Sequence, residues 1–243
     1  DVARKAGVDL PAQFAVGTVF TKNDNHKKII EETLSRNDLR AILWRKVPVD
    51  THALGELALK TLPTIYQVFV VPNSIIAINR FEALLYLSRK EIEHALKGDE
   101  DFYIPTLSCR VISYKGLVMP THIKEFYCDL SNELFKASFA LFHQRFSTNT
   151  LPKWRLAQPF RTLAHNGEIN SVEANRYNVF VKSESIKSEI FTEEELQRIF
   201  PILQDSVSDS ASLDNMVEFM LINGFDYFKT VRMLIPAPWQ NAP

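Results

Sequence analysis

The chain has 243 residues, of which 46% are hydrophobic, and a formal net charge of −1. That length suits one large domain or two small ones, and the apolar content excludes disorder. The near-neutral balance, with no basic stripe, gives nucleic-acid binding no electrostatic support, and no apolar run reaches the ~18 residues of a membrane span. Two cysteines, Cys109 and Cys128, are too few for a disulfide framework and fit a reducing compartment; no signal peptide opens the chain.

In chain order, Ala15 to Phe20 reads as a buried strand and Lys27 to Leu34 as a helix, with Ile29, Ile30 and Leu34 on one face. Ala41 to Val47 is a predicted strand. His52 to Leu62 is a predicted short helix with Leu54, Leu57, Leu59 and Leu62 as core candidates, stopped by Pro63. Ile65 to Val71 is a β-branched run ended by Pro72. The longest predicted helix covers Ile78 to Leu96, where Phe81, Leu84, Leu85, Ile92 and Leu96 keep near-helical spacing ahead of Gly98. Phe102 to Tyr114 suggests two short strands, and Met119 to Tyr127 a helix or loop.

Ala137 to Phe146 alternates with both faces largely apolar, the pattern of a strand covered on both sides. A loop follows, then a predicted strand from Pro159 to His165. Two helices come next, the second with Thr192 and Glu195 at capping-box spacing. Leu213 to Ile222 is a helix closed by Asn223-Gly224. Pro236, Pro238 and Pro243 read as the start of a linker, so residues 1–235 are expected to form one domain and 236–243 to lead out of it. Layered strands flanked by helices make the chain α+β.

Two strings carry the chemistry: His143-Gln144-Arg145-Phe146-Ser147-Thr148-Asn149-Thr150 and Ala164-His165-Asn166-Gly167-Glu168-Ile169-Asn170. Each sets polar groups where a predicted strand meets a loop. An arginine there can fork onto a carboxylate, and an Asn-Gly pair can offer a side-chain amide and a backbone N–H to one oxyanion. Taken singly, each has a plainer reading: a solvated strand-end arginine, a turn threonine at Thr148, an Asn-Gly turn. Asp209, in Ser208-Asp209-Ser210, reads as a helix cap ahead of Leu213, and Ser210 could serve as that cap instead. The histidines show no metal-ligand spacing; His143 and His165 read as packed, hydrogen-bonded side chains.

Together with Trp154 and Ala157-Gln158-Pro159-Phe160 between them, the two strings resemble the class II glutamine amidotransferase domain of glutamate synthases. Val16-Gly17-Thr18-Val19-Phe20, Val47-Pro48-Val49-Asp50, Gln67-Val68-Phe69-Val70, Phe102-Tyr103-Ile104 and Tyr114-Lys115-Gly116 follow the family's order upstream. Ser208-Asp209-Ser210-Ala211, Leu213-Asp214-Asn215 and Leu234-Ile235-Pro236 with Trp239-Gln240-Asn241 do so downstream. Ala174, where a glycine is expected, and Pro236-Ala237-Pro238-Trp239, in place of Pro-Glu-Ala-Trp, depart from the pattern outside the anchors.

The resemblance implies a four-layer αββα sandwich of the N-terminal nucleophile hydrolase type. It also implies glutamine hydrolysis to glutamate and ammonia, with the ammonia passing to a flavin-containing synthase region of the same polypeptide and on to 2-oxoglutarate. By the same resemblance Arg145 binds the glutamine α-carboxylate with Thr148 beside it, Asp209 holds the α-amino group, and Asn166 and Gly167 form the oxyanion hole. The family's nucleophile is an N-terminal cysteine, and this chain opens at Asp1. It is therefore expected to be a fragment lacking the nucleophile and the first strands. Cys109 and Cys128 do not match that nucleophile in position. No cofactor is expected in this segment; FMN and an iron–sulfur cluster are expected in the rest of such an enzyme, in the cytoplasm or a plastid. A catalytically inactive fragment, a glutamine-binding module and an amidotransferase domain of another class II enzyme are the alternatives.

Overall fold

The computed structural model describes residues 2–144, 152–203 and 208–236. A short helix α1 (Val2–Lys5) precedes strand β1 (Ala15–Thr21), helix α2 (Asn25–Arg36) and strand β2 (Leu39–Lys46). A 3₁₀ turn (Thr51–Ala53) and helix α3 (Glu56–Lys60) lead to β3 (Thr64–Pro72), α4 (Ile78–Ala95) and β4 (Tyr103–Ser108). The remaining helices are α5 (Ile123–Phe126), α6 (Val172–Lys182), α7 (Glu193–Ile199), α8 (Asp209–Ile222) and α9 (Tyr227–Leu234).

The strands form one antiparallel sheet in the order β2-β3-β1-β4, with β1 central enough to be buried on both faces. Strand alternation sorts its residues. Ala15 and Val19 join Val68 and Val70 beneath Ile30 and Leu34 of α2 and Phe81, Leu85 and Ile92 of α4. On the opposite face Phe20, paired with Ile65, packs with Phe126, Tyr127 and Trp154. Gly17 lies where the cross-strand neighbours close in: a Cβ there would come within 2.8 Å of Val68 Cγ1 and 2.9 Å of Leu107 Cδ1.

Several predicted elements hold within a few residues: β1 to β3, α2 and α4. The capping box also forms. Thr192 Oγ1 accepts from Glu195 N at 3.2 Å, and Glu195 Oε2 accepts from Thr192 N at 2.9 Å.

Others need correction. The helix predicted from His52 to Leu62 is split at Gly55 into the 3₁₀ turn and α3, and of its four leucines Leu57 and Leu59 face solvent. Their spacing of two residues cannot keep both on one helical stripe with Leu54 and Leu62. Only one strand forms between Phe102 and Tyr114, because the Glu82 carboxylate of α4 takes the Ser108 hydroxyl at 2.5 Å and the Cys109 N–H at 2.9 Å, ending the run.

The strand predicted from Ala137 to Phe146 is irregular over 137–144, and Phe139 and Phe142 are exposed. The segment predicted as a strand from Pro159 to His165 is likewise irregular. Gln158 clamps its end instead: its side-chain amide donates to His165 O at 2.6 Å and its oxygen accepts from His165 N at 2.8 Å. Alternation alone does not make a strand; a ladder partner must take the backbone groups. Among the described residues neither segment has one.

Candidate active site

Helix α8 opens four residues earlier than its apolar pattern suggested. Its N-cap is Ser208, whose Oγ accepts from Ala211 N at 3.2 Å, not Asp209 or Ser210. Asp209 is thereby the first helical residue, where the unpaired N–H groups of the first turn favour a carboxylate. Ser210 points elsewhere and donates to His165 O at 3.2 Å.

That bond brings the Asn166-Gly167 segment to the first turn of α8. The backbone N–H of Ile169 approaches Asp209 Oδ2 at 3.5 Å. The turn at 167–168 needs left-handed backbone at both residues: φ is +96° at Gly167 and +53° at Glu168. Glycine takes the first without strain.

The two candidate donors have definite partners. His143 Nε2 lies 2.9 Å from Asn166 Oδ1. Because that oxygen can only accept, His143 donates, and the amide keeps its N–H₂ for another acceptor. The Gly167 N–H donates to His165 Nδ1 at 3.1 Å. A substrate oxygen reaching this N–H would compete with the His165 ring.

Asp209 Oδ1 lies 3.3 Å from Arg176 Nη2 of α6, and the same guanidinium holds Ser212 Oγ at 2.8 Å and an oxygen of Glu173. Arg176 is a contributor that sequence reasoning missed as a partner of Asp209; 33 residues separate the two, and no local spacing announces the pairing. The bond from His143 to Asn166 spans 23 residues and was equally hidden, although both histidines were expected to be hydrogen-bonded.

Arg145 and Thr148 lie outside the described residues. Asn166, Gly167 and Asp209 are drawn to one place by the Ser210 and Ile169 bonds. His143 also lines, with Gln144, Gln158 and Pro159, a cavity of about 300 Å³, room enough for a free amino acid; Asp209 is not in that lining.

The chemistry this arrangement can perform is charge stabilisation: an amide N–H and a backbone N–H on a turn beside a helix N-terminus, with a carboxylate one step away. Among the described residues no helix is long and apolar enough to cross a membrane.

Comparison with known proteins finds related chains. The glutamate synthase (NADPH) large chain of Bacillus subtilis (strain 168) is 41% identical over 241 residues, covering 96% of this chain and 16% of that protein. The glutamate synthase (NADH) of Saccharomyces cerevisiae is 39% identical over 251 residues, covering 96% of this chain and 12% of that protein. The ferredoxin-dependent glutamate synthase 2 of Synechocystis is 36% identical over 236 residues, covering 95% and 15%. The chain thus spans about a sixth or less of the length of these relatives. The family model for glutamine amidotransferases class-II matches residues 1–243, and on that match the chain belongs to the class-II glutamine amidotransferases.

Proposed function

We propose that this chain is the glutaminase domain of a glutamate synthase, releasing ammonia from glutamine for reductive transfer to 2-oxoglutarate by a flavin-containing synthase region of the same polypeptide. The observation that carries the reading is the junction of the Asn166-Gly167 turn with Asp209 through Ser210 and Ile169, read beside the three relatives named above, each a glutamate synthase.

In this reading Arg145, with Thr148, takes the glutamine α-carboxylate and Asp209 its α-amino group. A free zwitterion is thereby selected over a peptide amide. The thiolate of the family's N-terminal cysteine attacks the side-chain carbonyl, and Asn166 Nδ2 and Gly167 N–H take the oxyanion. The tetrahedral centre collapses with cleavage of its C–N bond, ammonia leaving with a proton returned by the cysteine's own α-amino group, and water then cleaves the thioester to glutamate and the free thiol.

FMN and an iron–sulfur cluster belong to the rest of such an enzyme. The two cysteines here cannot supply a cluster's ligand set. Residues 1–235 make up the amidotransferase domain, with 236–243 leading to the next, and the whole domain takes the four-layer αββα form. The cytoplasm or a plastid is its setting.

The test uses the complete enzyme. Arg145→Lys keeps the charge and loses the planar fork, and Asp209→Asn loses the charge. Both should raise KM for glutamine about tenfold or more while ammonia-dependent glutamate synthesis is unchanged. Equal loss of both activities would overturn the site assignment.

A further inference from the structure

We propose that Asp214, acting with Arg161, is a positioning residue that seats the oxyanion segment on helix α8; this rests on the reading of Asn166 and Gly167 given above. Asp214 is fully buried in the sixth position of α8. Its Oδ1 accepts from the Thr162 backbone N–H at 2.7 Å and from the Thr162 hydroxyl at 2.8 Å. Four residues earlier on the same helix face, Ser210 holds His165 O at 3.2 Å. Residues 162–165 are therefore clasped along α8 at two points one helical turn apart, about 5.4 Å, and Asn166 is the next residue along. The turn of α8 that presents Asp209 is thus the same one that fixes where the two oxyanion donors stand.

The second oxygen of Asp214 accepts no hydrogen bond. It faces the Arg161 guanidinium at 3.6 Å. Arg161 in turn is tied to Ile104 O on the edge strand β4 at 2.8 Å and to Glu93 of α4 at 3.2 Å. Glu218, one turn beyond Asp214, lies 3.9 Å from Arg161 and 2.5 Å from Arg89, and Arg89 and Lys90 bind Glu93 at 2.5 and 3.2 Å.

Three cations and three carboxylates thus balance inside the domain. Apolar residues of like volume would hold the helices together as well or better. What the charges add is a single register. Arg161 begins the segment that ends in the oxyanion turn, so the network ties that turn to β4, α4 and α8 at once.

The experiment compares Asp214→Asn, Thr162→Val and Asn166→Ala in the complete enzyme. Oxyanion donors act in the transition state, where loss of one costs ~10²–10³ in rate; misplacing both by loosening the clasp should lower kcat for glutamine about tenfold. KM for glutamine should stay within about threefold, and ammonia-dependent synthesis should be unchanged. Thr162→Ser, which keeps the hydroxyl, should restore the rate.

If Asp214→Asn does not fold, Thr162→Val decides alone, since it removes one hydroxyl bond and leaves every charge in place. A parallel fall in glutamine and ammonia activities, or a rise in KM at constant kcat, would overturn the proposal. So would unchanged kinetics in both clasp variants while Asn166→Ala is impaired. If Asn166→Ala is also unimpaired, the reading of the site fails beneath it.

Discussion

His143 and Asn166 form a directed pair: Nε2 donates to Oδ1 at 2.9 Å, and the orientation of the Asn166 amide follows from it. An unheld amide could turn its oxygen toward a developing oxyanion and repel it. With the oxygen engaged by His143, the nitrogen is the end left to serve the proposed oxyanion hole. Replacing His143 by Leu in the complete enzyme should therefore lower kcat for glutamine about tenfold, a fraction of the loss for removing the donor itself. His143→Gln, which can still donate, should retain most of the rate. Parental turnover by the Leu variant would show that Asn166 is oriented by something else.

The Trp154 ring lies against Gly116 so closely that a Cβ at 116 would meet Cζ3 head-on and stand 2.8 Å from Cε3. The indole cannot retreat, since Phe20 packs edge-on at 6.1 Å and its N–H donates to Ala58 O at 3.3 Å and to Thr61 Oγ1 at 3.2 Å. Gly116→Ala should destabilise the domain by about 1–3 kcal/mol, the usual range for an overpacked core. Urea denaturation followed by tryptophan fluorescence reads it, and an unchanged midpoint would show that the loop yields.

How far such features were legible in the sequence depends on what each requires. Helix α4 and the capping box at Thr192 are local patterns, and both stand where spacing put them. The alternation over 137–146 is as regular as that of β1. Yet β1 has β3 and β4 to take its N–H and C=O groups, whereas residues 137–144 have no ladder among the described residues. Pairing is a fact about distant chain, invisible in a window of ten residues. The same holds at the site. Asn166, Gly167 and Asp209 were singled out because their strings resemble a family, while the bond from His143 and the Arg176 contact join positions with no shared motif. The clasp by Asp214 was hidden because its partner Thr162 lies 52 residues back, outside any local window.

The two glutamates of the buried network should answer differently to neutralisation. Burial disfavours the Glu93 carboxylate, but Arg89, Lys90 and Arg161 outweigh that and hold its pKa far below the ordinary 4.5. For Glu218 burial wins over Arg89 and Arg161, and its pKa is raised. A depressed carboxylate contributes stability that is present above its unfolded-state pKa and lost as pH falls toward the folded one. A raised one contributes in the opposite sense, with stability present below the unfolded value and lost as pH rises. Glu93→Gln should therefore cost about 3–5 kcal/mol at pH 7, the range for breaking one partner of a buried pair, and clearly more than Glu218→Gln. The deficit of the Glu93 variant should hold from pH 7 to 5 and shrink below about 4.5. Equal midpoint shifts for the two variants would contradict this division.

The thiols offer the sharpest check on the nucleophile. Cys109 Sγ donates to Glu82 Oε2 at 3.0 Å, and burial together with that carboxylate pushes its pKa up to about 12. At pH 8 the thiolate fraction is then ~10⁻⁴, and only the thiolate attacks. The positive neighbours that activate catalytic cysteines are outweighed here, since Arg110 opposes Glu82 only weakly. Cys128, by contrast, is exposed. Iodoacetamide at pH 8 should therefore label Cys128 first and Cys109 only after unfolding, with peptide mass mapping as the readout. In the complete enzyme the double variant Cys109→Ala and Cys128→Ser should keep parental glutamine turnover, because the proposed chemistry draws its thiolate from the family's N-terminal cysteine. Loss of ammonia release in either single variant, with the domain still folded, would make that residue the nucleophile and displace the reading built around Asn166 and Gly167.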